Sequence, residues 1–260
     1  MTALAIDQRT DRAQRIVNHL VERFGGSNVV DEPFQHFATE NAFPDDVYED
    51  IRASLPRREA YLPINIKQWK NAEGQSTRDR ILLSDVEMRK IPAETRQLWE
   101  DIRAALAAPE FQKVVYSSLR RDIALRLNVP ENEVPKQKAY VYTMLVRDFE
   151  DYSIKPHPDG EPRVVTMMFY LAKKNDPKDL GTSIYRERPM LNRLLGNRFE
   201  EVGRFPFLPN SAGTFAVNSR PDRRSWHGRE LIKGANTVRD SIIVSFLSKE
   251  MPEFGSRHNY

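Results

Sequence analysis

The chain of 260 residues contains no cysteine. Without thiols it can form no disulfide, thiolate zinc site, iron–sulfur cluster or cysteine nucleophile. Any metal that it binds must therefore be held by imidazole and carboxylate groups. The lack of cysteine also predicts a cytoplasmic protein, because disulfides are characteristic of oxidising compartments.

Long apolar runs and a large excess of one charge are also missing. The longest apolar stretch, residues 164–172, is well short of the roughly 20 residues that a transmembrane helix needs. Asp7 and Asp11 interrupt the region where a secretory signal would need apolar residues. The net charge is +3, with basic and acidic residues interspersed. We therefore expect no membrane segment, and charge alone gives little support for nucleic-acid binding.

Helical periodicity dominates the first half of the chain. Apolar residues recur at helical spacing in four segments, 11–24, 44–55, 92–106 and 110–127. The pair Gly25–Gly26 supplies a stop for the first of them. Residues 57–82 carry mixed charge with little periodicity, so we predict a surface loop there that acts as a lid.

The second half of the chain is dominated by short strand-like runs. They are rich in Val, Ile, Tyr and Phe and are separated by Pro, Gly and Asp, at residues 139–149, 163–171, 182–185, 212–218 and 237–247. Such spacing predicts a β-sandwich or barrel. No internal repeat or interdomain linker is evident, so we predict one domain over residues 1–260, with helices packed outside a β core.

Two of the five histidines stand in a pattern that suits a metal site. His157 is followed at i+2 by Asp159, and in an extended segment these side chains point to the same face. His227 lies far enough along the chain to belong to another strand. Two imidazoles and one carboxylate on one face of an octahedral ion leave three positions open, which suits non-haem Fe(II) chemistry with O2. A single His-x-Asp pair is weak evidence by itself.

A basic residue in a strand adds a second observation. Arg239 opens the apolar run 240–247, and on a strand it shares a face with Ser241, Ile243 and Ser245. A guanidinium on an inward face is costly unless it meets an anion, and its fork matches a carboxylate. A bound dicarboxylate would satisfy Arg239.

Five segments together resemble the Fe(II)/2-oxoglutarate-dependent oxygenases, with the prolyl-hydroxylase-like branch nearest. They are 152–159 (YSIKPHPD), 165–171 (VTMMFYL), 180–185 (LGTSIY), 225–228 (SWHG) and 239–241 (RDS). The resemblance covers roughly residues 138–248. Residues 57–130 match no family that we can name.

The resemblance implies an α+β protein with a double-stranded β-helix (jelly roll, cupin-like) and flanking α-helices. Residues 1–135 would form a mainly helical flank and lid, and residues 136–250 the jelly-roll core with the iron site. Iron would be held by the predicted catalytic residues His157, Asp159 and His227. The cosubstrate 2-oxoglutarate would pair through its distal carboxylate with Arg239 and Ser241. Tyr142 is the preferred further cosubstrate ligand.

The activity implied is hydroxylation of an unactivated C–H bond, with O2 consumed and succinate and CO2 released. Asp159 stands where halogenases of the family lack a carboxylate, which makes halogenation improbable. Ser245 stands where members that repair nucleic acids carry a second arginine, which disfavours a nucleic-acid substrate. We expect a small-molecule substrate, an amino-acid derivative or a biosynthetic intermediate, although desaturation stays open.

Two alternatives remain at this stage. A protein side-chain hydroxylase would use an open groove lined by residues 57–82. A non-catalytic cupin-type module would hold a structural metal in a saturated site and leave Arg239 without an anion. The basic cluster Arg220, Arg223 and Arg224 is predicted to lie in an exposed loop near the mouth of the site. The sequence leaves the oligomeric state open.

Overall fold

The computed structural model describes residues 3–189, 198–234 and 237–251, with side chains from residue 11 onward. This part of the chain contains five α-helices: α1 (Ala3–Gly25), α2 (Asp45–Ala53), α3 (Ala93–Leu106), α4 (Pro109–Ser118) and α5 (Arg120–Leu127). None of the described helices is long and apolar enough to cross a membrane. The helix predicted over residues 110–127 is two helices. The backbone leaves the helical region at Leu119 (φ −105°, ψ 21°), whose side chain is fully buried.

The described strands are all antiparallel to their neighbours. They are β1 (His36–Glu40), β2 (Leu62–Pro63), β3 (Arg78–Leu82), β4 (Tyr140–Asp148), β5 (Ile154–His157), β6 (Arg163–Leu171), β7 (Thr182–Glu187), β8 (Phe199–Phe205), β9 (Pro209–Ala216), β10 (His227–Arg229) and β11 (Arg239–Leu247). Seven form a large sheet in the order β1-β9-β6-β11-β4-β3-β2, and four form a small sheet in the order β5-β10-β7-β8. The five strands predicted from the sequence correspond to β4, β6, β7, β9 and β11.

Strand β6 shows how the two hydrophobic clusters are divided. All nine of its residues are buried, as expected for a central strand covered on both faces. Met167 and Phe169 pack in the cluster that contains the helices, whereas Met168 and Tyr170 pack in the cluster that contains residues of both sheets. The period of two along the strand thus directs alternate side chains towards the helical layer and towards the small sheet.

Residues 57–82 differ from the predicted surface loop and lid. They contain β2 and β3, and β3 pairs with β4 inside the large sheet. Trp69, between these two strands, is only 1% exposed. The sequence Arg78-Asp-Arg-Ile-Leu82 concealed a buried strand because its charged residues are paired, as in the ion pair between Arg78 and Asp148. The division of the chain near residue 135 into a helical flank and a barrel core stays a prediction, and β1, β2 and β3 precede that boundary.

Candidate functional site

Two short strands of the small sheet bring the predicted histidines together. His157 ends β5 and His227 begins β10, and the two residues are direct partners in the antiparallel register. Their ring centroids lie 4.4 Å apart. Gly228 permits this close pairing, because a Cβ there would lie 2.8 Å from the carbonyl oxygen of Ile154. Asp159 follows β5, and one ligand atom from each of the three residues lies within 4.8 Å of the others.

Backbone carbonyls fix the orientation of both imidazole rings. The Nδ1 atoms of His157 and His227 lie 3.0 Å from the carbonyl oxygens of Lys155 and Ser225, respectively. Because a carbonyl can only accept, each Nδ1 donates its proton to that carbonyl, and each Nε2 is the atom available to a metal. The Nε2 atoms face Asp159, with Nε2–O distances of 3.8 Å from His157 and 3.9 Å from His227. Carbonyls that fix the rings through Nδ1 match the outer-shell support of metal ligands.

The carboxylate of Asp159 is held from the other side. It accepts a hydrogen bond from Nη1 of Arg163 (3.0 Å) and one from the hydroxyl of Thr166 (2.6 Å). Burial raises the pKa of Asp159, but Arg163 and the two histidines outweigh burial and hold the pKa below its usual range. Burial lowers the pKa of His227 to about 4, with a smaller effect from His157 in the same direction. At neutral pH the site therefore presents a carboxylate and a neutral imidazole, the protonation states that metal binding requires.

A second charged cluster lies around Arg239 at the start of β11. Its guanidinium donates to Asp148 Oδ2 (2.7 Å), to the carbonyl of Leu180 (2.7 Å) and to the hydroxyl of Thr182 (3.2 Å). Asp148 is fully buried and also pairs with Arg78, at 2.8 Å between Nε and Oδ1. Two guanidiniums thus share one carboxylate. Arg239 faces inward and pairs with an anion, as the sequence predicts, but this anion is the carboxylate of Asp148 rather than a bound ligand.

The other two predicted cosubstrate ligands differ in position. Ser241 is fully buried, and its hydroxyl has no hydrogen-bond partner in the part of the chain that the structure describes. Tyr142 is opposite Ser245 in the register, whereas Asp148 is opposite Arg239. Six residues of strand separate the two pairs by about 20 Å. Tyr142 lines a different cavity, so the structure does not bring it to the predicted site.

One cavity connects the two charged clusters. Its volume is about 60 Å³, and it is partly open to solvent. His157, Asp159 and His227 line it together with Arg239, and four arginines face it in all, namely Arg78, Arg163, Arg229 and Arg239. The apolar part of its wall consists of Met144, Ile154, Met168 and Ile243. The cavity therefore offers metal ligands and anion-binding groups within a partly apolar enclosure.

Several residues that line or support the cavity were not predicted from the sequence, among them Arg78, Asp148, Tyr152 and Arg229. Arg78 lay in the segment interpreted as a loop, and its pairing with Asp148 depends on the register of β3. Tyr152 is buried under Arg78, whose guanidinium donates to the Tyr152 hydroxyl. Arg229 could have been found, because it follows His227 at i+2 and the same rule joined His157 to Asp159.

The loop before His227 is fixed by a buried ion pair. Arg223 is 12% exposed and pairs with Asp122 of α5, whose carboxylate is fully buried and also accepts from the backbone N–H of Gln35 at 2.6 Å. The sequence predicted that the whole basic cluster lies in an exposed loop, but Arg223 of this cluster is largely buried. Two hydrogen bonds between Asn218 and Ser225 close the loop. The backbone N–H of Asn218 donates to the Ser225 hydroxyl (3.1 Å), and the backbone N–H of Ser225 donates to the Asn218 carbonyl (3.0 Å).

Comparisons with known proteins find likeness in structure but not in sequence. No family model matches the chain, and no curated protein matches it. A prolyl-4-hydroxylase from Pseudomonas putida superposes with a TM-score of 0.52 at 11% identity, over 90% of this chain and 100% of that chain. A 2OG-Fe(II) oxygenase family oxidoreductase from Burkholderia pseudomallei gives a TM-score of 0.47 at 10% identity, over 91% of this chain and 90% of that chain. The non-heme alpha ketoglutarate dependent epimerase SnoN from nogalamycin biosynthesis gives 0.49 at 10% identity, over 89% and 82%.

The first likeness confirms the predicted α+β jelly-roll fold with flanking helices. At such low identity it shows the fold alone, since one fold supports many activities. Fold and geometry together define a jelly-roll protein with a candidate metal site of two histidines and one aspartate, facing a buried cluster of arginines.

Proposed function

We propose that this protein is an Fe(II)- and 2-oxoglutarate-dependent dioxygenase that hydroxylates an unactivated C–H bond of a small molecule, releasing succinate and CO2. One observation carries the proposal: a three-residue metal-ligand set and a buried arginine pair with a single shared carboxylate line the same cavity. A 2-oxo dicarboxylate could occupy both parts of this cavity. Its keto acid can chelate a metal, and its distal carboxylate can pair with a guanidinium.

The residues present fit both groups. His157, Asp159 and His227 would hold the iron, because their two Nε2 atoms and the carboxylate converge within ligand distance of one ion. Arg239 and Ser241 would hold the distal carboxylate, since the buried Ser241 hydroxyl lacks a partner in the described residues. When bound, iron and 2-oxoglutarate would supply the oxidising chemistry, in which O2 is consumed, the keto acid loses CO2 and substrate gains one oxygen atom.

The chain itself would contribute positioning and exclusion of water. Arg163 and Thr166 hold the carboxylate of Asp159 in place, and the carbonyls of Lys155 and Ser225 hold the imidazoles. The apolar wall limits access of water to the reacting atoms and strengthens charge interactions in the cavity. These groups fix where a bound substrate must lie relative to the metal.

A small-molecule substrate is proposed because the cavity combines the metal ligands with apolar and charged side chains in one pocket, as small-molecule sites do. The protein-hydroxylase alternative depended on a groove formed by residues 57–82, and this segment instead adds β2 and β3 to the large sheet. An amino-acid derivative or a biosynthetic intermediate is the substrate class that we propose. A cytoplasmic location is consistent with the absence of cysteine.

One observation favours a second candidate, a non-catalytic cupin-type metal-binding module. Arg239 already pairs with Asp148 at 2.7 Å, so its burial does not by itself require a bound anion. This candidate predicts that the protein binds a divalent metal but not 2-oxoglutarate.

Anaerobic titration of the purified protein with Fe(II) and 2-oxoglutarate distinguishes the two candidates. We expect a metal-to-ligand charge-transfer band in the visible spectrum that is lost in His157→Ala and His227→Ala, while circular dichroism shows that both variants fold. Succinate release across a metabolite panel would then identify the substrate. If the wild-type protein binds iron but gives no band and no 2-oxoglutarate affinity, the dioxygenase proposal is wrong and the cupin-type module stands.

A further inference from the structure

Arg229, the last residue of β10, has unused hydrogen-bond donors in a buried position. Its side chain is 5% exposed and lines the cavity that holds the metal ligands. Nη1 donates to the carbonyl of Asp179 at 2.6 Å and to Glu230 Oε2 at 3.1 Å. Within the described residues, Nε and Nη2 have no hydrogen-bond partner. A buried guanidinium with an empty fork is costly unless a ligand occupies it.

We infer that Arg229 binds the distal carboxylate of the cosubstrate through its Nε–Nη2 fork, as a second cation beside Arg239. This inference rests on the proposed function and adds a binding residue that the resemblance did not supply. Arg229 would then contribute to the preference for a keto acid with a distal carboxylate over one without it.

The strand geometry gives Arg229 the required distance from the metal ligands. His227 and Arg229 are separated by one residue on β10, so their side chains point to the same face. Two residues of strand correspond to about 7 Å. A five-carbon keto diacid held by a metal at His227 would span a comparable length between the metal and its distal carboxylate.

The donors of Arg239 are more fully used than those of Arg229. In Arg239, Nε, Nη1 and Nη2 each donate to an atom of the chain, at 2.7, 2.7 and 3.2 Å. Among the residues that the structure describes, all the hydrogen bonds of Arg229 come from Nη1, which leaves the Nε–Nη2 side open. Two parallel N–H groups on that side match the two oxygens of a carboxylate.

The charges around this end of the cavity agree with the inference. Arg78, Arg229 and Arg239 face the cavity, and the carboxylates paired with them are Asp148 and the half-exposed Glu230. Three positive and two negative charges leave one positive charge. The distal carboxylate of the cosubstrate would neutralise it.

The test is calorimetric binding of keto acids to the metal-loaded protein under anaerobic conditions. Arg229→Gln is expected to weaken 2-oxoglutarate by about 10- to 150-fold, the range for a lost charged hydrogen bond. Binding of 2-oxobutyrate, which has no distal carboxylate, should change less than about 3-fold, because its keto acid interacts only with the metal end.

Arg204→Gln is the matched control. Arg204 donates to the same carbonyl of Asp179 at 2.6 Å and pairs with the same Glu230 at 3.0 Å, yet it does not line the cavity. We expect wild-type affinity for both keto acids in this variant. Arg229→Lys keeps the charge without the fork, and it should weaken 2-oxoglutarate by at least about 5-fold. This variant carries the test if Arg229→Gln fails to fold.

The outcomes separate the two proposals. If wild-type protein binds 2-oxoglutarate and the Arg229 variants bind it equally well, the inference is wrong and the proposed function stands. The inference is also wrong if the variants lose 2-oxoglutarate and 2-oxobutyrate to the same degree, or if Arg204→Gln loses as much as Arg229→Gln. If wild-type protein binds no 2-oxoglutarate, the proposed function fails and the inference falls with it.

Discussion

The two ends of the cavity differ in the sign of the ion that each would accept. At one end, the Nε2 lone pairs of His157 and His227 and the carboxylate of Asp159 converge, which favours a cation. At the other end, guanidiniums outnumber the carboxylates that pair with them, which favours an anion. One ligand that chelates a metal and carries a distal carboxylate would satisfy both ends.

The two ends also differ in how they are built. The metal end depends on the small sheet, where β5 and β10 are only four and three residues long. The anion end depends mainly on the ends of long strands in the large sheet, where Arg239 of β11 is the direct register partner of Asp148 of β4. Substitutions should therefore separate the two ends, so that a change at the anion end leaves the binding of the metal alone unaffected.

The largest effect is expected at the metal end. Asp159→Ala removes the only carboxylate of the ligand set, so Mn(II) affinity should fall by more than about 100-fold, beyond the effect of losing an outer-shell partner. The measurement is electron paramagnetic resonance of free Mn(II) during titration. Asp85→Ala, at an exposed ion pair with Arg103, is the control and should bind Mn(II) like wild type. Tight Mn(II) binding by Asp159→Ala would place the metal elsewhere.

The next effect concerns stability and the anion end. Asp148→Ala leaves Arg78 and Arg239 buried without their shared carboxylate, which should lower the free energy of unfolding by about 3–5 kcal/mol. Urea denaturation of the metal-free protein measures it. Asp222→Ala removes an exposed carboxylate beside Arg220 and should leave the urea midpoint close to that of the wild-type protein. Similar losses in both variants would contradict the role given to Asp148.

Arg239→Ala should separate the two ends most cleanly. We expect binding of 2-oxoglutarate to weaken by about 2–5 kcal/mol, because a desolvated carboxylate loses a charged partner. Mn(II) binding without 2-oxoglutarate should stay within about 3-fold of wild type, since Arg239 does not contact the metal ligands. Unchanged cosubstrate affinity would assign the anion site to other residues, and a parallel loss of Mn(II) would mean that the ends are not independent.

A smaller effect is expected from pH on the metal-free protein. Burial lowers the pKa of His227 to about 4, against 6.5 for the unfolded chain, so between these values the unfolded state binds more protons. The free energy of unfolding should therefore fall as pH falls from 6.5 to 4, by about 3 kcal/mol from this group. Urea denaturation should show a weaker pH dependence in His227→Asn than in the wild-type protein. Equal pH dependence in wild type and His227→Asn would contradict the buried neutral imidazole.

Long apolar strands could be predicted from the sequence, whereas the short strands β5 and β10 could not. Strands β4, β6 and β11 carry nine residues each, enough for the apolar run to be recognised. Strands β5 and β10 are too short for a periodic signal, yet they hold the histidines. The candidate metal ligands were found through residue type and spacing, before the strands that position them were known.

Register is what the sequence could not supply. Tyr142 lies at the far end of β4 from Asp148, and only the pairing of β4 with β11 shows how far it is from Arg239. The same pairing reveals Asp148 as the partner of Arg239. Strand β3 was hidden because its charged residues are paired inside the protein, a pattern that resembles a solvated loop when only the sequence is considered.

The most direct test of the two-ended cavity is the coupling between metal and cosubstrate. Calorimetry under anaerobic conditions would compare 2-oxoglutarate with glutarate, which has the same length but no keto group, in the presence and absence of Mn(II). We predict that Mn(II) tightens 2-oxoglutarate by at least about 10-fold, with reciprocal tightening of Mn(II), and leaves glutarate within about 3-fold. No effect of Mn(II) on 2-oxoglutarate, or an equal effect on both ligands, would contradict a single ligand that joins the two ends.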